Sequence, residues 1–74
     1  MASKFEVLRL REVPNPAYTG KVWAVQIAVD GTPAPVFFEL ERNRREMGEE
    51  AWMETLQGNA EMLLREYGPA PVMA

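Results

Sequence analysis

The chain contains no cysteine and no histidine. Without cysteine no disulfide or thiolate metal site can form. Without histidine the commonest imidazole ligand is missing, and so is the side chain whose ordinary pKa suits general base work near neutral pH. Ser3 stands close to the N-terminal end with no base beside it, and no glycine-rich phosphate loop occurs. Carboxylate pairs such as Glu50 and Glu54 fall on what reads as a solvated helix face. A nucleophile needs an adjacent base and a pocket, and neither is offered here. The expectation is therefore a protein that is not an enzyme and that uses no cofactor or metal. Long apolar runs are missing too. The opening Met-Ala-Ser-Lys-Phe-Glu lacks the apolar core of a signal peptide, and no stretch approaches the length of a membrane span. A cytoplasmic protein without a membrane partner is expected.

What is present is a chain of 74 residues, 47% hydrophobic and 26% charged, which is too apolar for a disordered segment and sized for one domain. So small a domain depends on packing or on a partner chain. The net charge of −3 is unevenly spread. Residues 1–45 hold Lys4, Arg9, Arg11, Lys21, Arg42, Arg44 and Arg45 against five acids, a balance of +2. Residues 46–74 hold six glutamates against Arg65, a balance of −5. A simple nucleic-acid binder would show an unopposed basic face. Two patches of opposite sign suit a protein that meets another protein, and they also serve ordinary solubility.

The stretch Lys21–Leu40 organises the chain. Trp23, Val25, Ile27 and Val29 alternate with smaller or polar residues, the period of a strand with one buried face. Asp30-Gly31 is a two-residue hairpin signal. With those residues as the turn, Trp23 faces Phe38, Val25 faces Val36 and Ile27 faces Ala34. Pro33 and Pro35 then lack N–H groups on the side away from the partner, so Thr32–Leu40 is expected at a sheet edge. Before the hairpin, Lys4–Val13 reads as a first strand. Its apolar parity changes between Val7 and Leu8, through a β-bulge or through apolar groups on both faces. Pro14–Gly20 is a stiff loop with Tyr18 at its tip, either folded back on the sheet or available for contact.

After Leu40, Asn43 with Glu46 three residues on predicts a capping box and a helix start. Trp52, Leu56, Ala60, Leu63 and Tyr67 make its apolar stripe, with Met53 and Leu64 alongside. Gly58 offers a place for a kink, and Gly68-Pro69 ends the helix. The expected fold is α+β: a three-stranded antiparallel meander with one C-terminal helix packed on one face (βββα). Residues 1–68 form the domain and 69–74 a flexible tail. Val22, Ala24, Gln26 and Phe37 are expected on the uncovered face.

Taken whole, the size of the chain, its Met-Ala-Ser-Lys-Phe-Glu-Val-Leu start and its lack of histidine and cysteine resemble the small RNA-polymerase-binding transcription regulators of lytic Xanthomonas bacteriophages. The resemblance implies binding to the two large subunits of host RNA polymerase. It further implies inhibition of initiation by displacement of the σ factor, and antitermination. It covers the chain rather than a motif and assigns no residue. From charge and position, the expected partner-binding groups are Lys4, Arg9, Arg11, Arg42, Arg44 and Arg45, with Tyr18 as an anchor. A monomer with no sequence-specific nucleic-acid contact is expected. Two other functions fit the same residues. One is a phage inhibitor of another host protein machine; the other is a small nucleic-acid-binding module using Arg42–Arg45.

Overall fold

The computed structural model describes residues 3–14 and 20–73. They form an α+β arrangement of β1 (Phe5–Val13), β2 (Val22–Val29), β3 (Thr32–Pro33), β4 (Phe37–Leu40), α1 (Glu41–Met47) and α2 (Glu49–Tyr67). The sheet is antiparallel with β2 at its centre. β1 pairs with one side of β2, and β3 and β4 pair with the other. The expected path is present, but the third strand is split in two and so is the helix.

Asp30 (φ 51°) and Gly31 (φ 82°) both take positive φ, as the two-residue turn requires. Val29 pairs with Thr32 and Ala28 with Pro33, and the Ala34 N–H donates to Ile27 O at 3.0 Å. Beyond that point the register shifts. Val25 lies opposite Phe37, Ala24 opposite Phe38 and Trp23 opposite Glu39. Gln26 therefore faces two residues, Pro35 and Val36, which makes a bulge. The expected Trp23–Phe38 and Val25–Val36 pairs do not form. The prolines give the reason: each holds φ near −65°, well short of the roughly −140° of an antiparallel strand, and two of them fall within three residues. The chain absorbs the misfit with one extra residue. A one-residue shift exchanges faces, so Phe37 packs on the core while Phe38 is 65% exposed. No strand pairs outside β3 and β4 among the described residues, as the prolines imply.

In β1 the change of parity is a bulge. Val7 pairs with Ile27 and Arg9 with Gln26, leaving Leu8 extra. The bulge brings both Phe5 and Leu10 to the helix side. There Val25, Ile27 and Ala34 meet Trp52, Leu56 and Ala60, all fully buried. The stripe continues at Leu64. The expected continuation to Tyr67 fails, because the last turn of α2 has left the core and Tyr67 is 72% exposed.

Gly48 divides the helix. Its φ of 88° is open to glycine, and its N–H closes α1 on Arg44 O at 3.0 Å while its carbonyl receives Trp52 N–H at 2.9 Å. The expected cap at Asn43 is not formed. The helix begins earlier, at Glu41, and the Asn43 amide donates to Glu39 Oε2 at 3.3 Å. At Gly58, by contrast, α2 runs unbroken.

The described part of the tail runs back along the sheet. The Ala70 N–H donates to Pro33 O at 3.0 Å, and beyond it Pro71 and Met73 bond to the side of β2 that faces away from the helices. On that side Val22, Ala24, Gln26 and Ala28 are all buried, where an open face was expected.

Candidate interaction surfaces

The candidate cations do not form one site. Lys4, just before β1, and Arg11, near its end, are exposed. Arg9 is half-buried, and its guanidinium donates to Met73 O at 2.9 Å. Arg42 and Arg45 are exposed on α1, with Arg42 3.9 Å from Glu46 in an open i, i+4 pair worth little. Tyr18 lies outside the described residues. Arg44, from the middle of the sequence cluster, turns inward.

Arg44 stands in a built cluster. Its Nε donates to Glu49 Oε2 at 2.7 Å and its Nη2 to Glu49 Oε1 at 2.9 Å, a bidentate pair. Its Nη1 is 3.9 Å from Glu41 Oε2, and the same carboxylate oxygen accepts from Trp23 Nε1. The guanidinium also lies over two rings, 4.6 Å from the centroid of Trp52 and 5.4 Å from that of Trp23. The local sequence makes this possible. Arg44 sits one turn before the Gly48 break and Glu49 directly after it, so the pair spans the break and holds α1 to α2. The Arg44 guanidinium holds the Glu49 carboxyl below the ordinary value of 4.5, and the Glu49 hydrogen bonds raise Arg44 in turn. These groups satisfy one another, so the cluster is a clasp between elements and leaves Arg44 few donors for a partner.

Trp52 itself is fully buried, and its Nε1–H has no acceptor among the described residues. That omission costs about 1–3 kcal/mol. Burying an aromatic side chain of ~200 Å² contributes about 5 kcal/mol, so the ring stays.

Beside the Gly48 break lies a shallow, open cleft lined by Met47, Gly48, Glu49, Glu50, Ala51 and Glu54. Its three carboxylates are exposed, and among the described residues no group of acids is placed to hold a metal ion. No described helix is long and apolar enough to cross a membrane.

The groups that sequence reading missed are Glu41, Glu49 and Gln26. With a helix start expected at Asn43, Glu41 falls before the helix and Glu49 inside it, and neither stands out. Gln26 had a signal: it is the sole polar side chain in Val22–Val29. No family model matches this chain, and no curated protein or solved structure is significantly similar to it.

Proposed function

We propose that this chain is a non-enzymatic regulator that acts as a monomer in the cytoplasm of a phage-infected host. It binds the large subunits of host RNA polymerase, inhibits initiation by displacing the σ factor, and promotes antitermination. The whole-chain likeness to the small Xanthomonas phage regulators supplies the partner. The observation that carries the binding mode is the division of surface charge. Lys4 just before β1, Arg11 on β1 and Arg42 and Arg45 on α1 stand exposed beside Glu6, Glu12 and Glu46. The exposed part of α2, by contrast, carries Glu49, Glu50, Glu54 and Glu66 against Arg65 alone. Such a surface steers a protein onto a partner of complementary potential and needs no pocket.

The test leaves Arg44 alone, because its reversal would break the clasp. Arg42 and Arg45 are changed to Glu, folding is checked by circular dichroism, and binding to Xanthomonas core polymerase is measured together with promoter-dependent transcription. Affinity is expected to fall about tenfold or more, with a weaker salt dependence. Unchanged inhibition removes these arginines from the mechanism. A wild-type protein that binds no polymerase subunit at micromolar concentration overturns the reading. A salt-sensitive shift of DNA in its place favours the nucleic-acid module.

A further inference from the structure

The middle of β2 holds a residue that core packing would not select. Gln26 is fully buried between Ala24 and Ala28, on the side of the sheet away from α2. A buried amide is tolerated only when bonded. Its Nε2 donates to Ala34 O at 3.2 Å and to Pro71 O at 2.8 Å, and its Oε1 accepts from the Met73 N–H at 2.8 Å. The first bond satisfies a carbonyl at the β3–β4 bulge. The other two go to the C-terminal segment, and both go to its backbone.

Those two groups, a C=O and the N–H two residues later, are what one edge of an extended strand presents to a neighbour. The Gln26 amide reads them as a peptide unit of an adjacent strand would. Recognition is indifferent to the intervening side chain, and Val72 is 61% exposed. Ala24 and Ala28, which flank Gln26 on that side, are small and buried. Arg9, paired with Gln26 across β1 and β2, extends the contact by donating to Met73 O. Pro69 and Pro71 hold the segment extended.

Little else attaches it. Pro69, Pro71 and Val72 are exposed, so four polar bonds carry much of the attachment, over a sheet face on which Ala24 and Ala28 are buried. A segment of that kind opens more readily than the strands and helices beside it. Once it leaves, the Gln26 amide stands between Ala24 and Ala28 with one acceptor and one donor site unmet.

We propose that the face over Gln26 is a docking groove for an extended peptide, filled in this structure by the chain's own residues 70–73 and open to a partner's extended segment by exchange. The segment it takes presents a backbone C=O and an N–H two residues apart over Gln26, followed by an oxygen acceptor for Arg9. This inference does not depend on which protein the chain regulates.

Met73→Pro in the full chain removes the one N–H that Gln26 Oε1 accepts and leaves every groove side chain in place. By NMR, the Gln26 side-chain amide resonances are expected to shift and the Ala70 amide to exchange at least about tenfold faster. The near-ultraviolet dichroism of Trp23 and Trp52 should be unchanged, and Val72→Ala should behave as wild type. A synthetic peptide of residues 68–74 should then return the Gln26 resonances of Met73→Pro toward their wild-type positions. Saturation is expected on the order of millimolar, the effective concentration of a short tether. The same peptide should leave the wild type unchanged. If Met73→Pro loses its native dichroism, the segment is integral to the fold and the proposal fails. It fails equally if Ala70 exchange is unchanged, or if the peptide does not move the Gln26 resonances of the variant.

Discussion

The guanidinium of Arg44 lies 4.6 Å from the centroid of the Trp52 ring while its two outward edges are bonded to Glu49 and drawn toward Glu41. Trp52 is the largest fully buried side chain, and Arg44 is its roof. One residue thus joins the core, the α1–α2 break and the start of the central strand at Trp23.

Arg44→Lys is accordingly expected to be a poor substitute. A lysine ammonium cannot form the bidentate pair with Glu49, and it lacks the planar group that stacks on the rings. The expected result is a lower urea midpoint than wild type, together with a change in tryptophan fluorescence. Arg45→Lys, at the next position but exposed, should alter neither.

The same pair predicts an acid dependence. Because Arg44 holds the folded-state pKa of Glu49 below 4.5, the unfolded chain takes up its proton first as pH falls. The contribution of the pair is fully present above the unfolded value and is lost as pH drops through the folded one. Glu49→Gln should therefore be less stable than wild type at pH 7. The gap should narrow below pH 4.5 and close when Glu49 is protonated in both states. Urea titrations across that range check it; a gap independent of pH would show that Glu49 acts by packing alone.

The buried stripe supplies a calibration. Leu56 is fully buried among Val25, Ile27 and Trp52, so Leu56→Ala should cost about 2–5 kcal/mol. A domain of this length has only about 4–11 kcal/mol in hand. Tyr67→Ala, on the exposed last turn, should stay within about 0.5 kcal/mol. Urea unfolding of the two variants side by side tests whether the core ends at Leu64.

Much of this fold is legible from local chemistry. Asp30-Gly31 fixes the turn, the parity change at Val7–Leu8 marks the β1 bulge, and the spacing of Trp52, Leu56 and Ala60 places the helix. What escapes sequence reading depends on contacts between distant residues. The misfit of Pro35 could be absorbed by fraying or by a bulge. Gln26, bonded to the bulge carbonyl of Ala34, sits where the bulge forms. Asn43 is a good cap by composition, but the Trp23–Glu41 bond starts the helix a turn earlier. Arg44 reads as one of a solvated cluster until Trp52, eight residues on, is brought beneath it. The tail is apolar and proline-rich in sequence, and its attachment depends on a glutamine 45 residues away.

The bulge at Pro35–Val36 makes a prediction that separates the two registers outright. In the register set by the turn alone, Phe38 would share a face with Trp23 and lie in the core, and Phe37 would be outside. With the extra residue, Phe37 stands opposite Val25 and packs on the core, while Phe38 stands opposite Ala24 and is 65% exposed. Phe37→Ala should then cost about 2–4 kcal/mol, less than a fully buried phenylalanine because Phe37 is half-buried. Phe38→Ala should stay within about 0.5 kcal/mol. The two substitutions remove the same atoms from adjacent residues of one short strand, so differences in strand propensity largely cancel. Their ratio reports which ring faces α2. Equal losses, or a larger loss at Phe38, would restore the unbulged register and with it the Trp23–Phe38 pair.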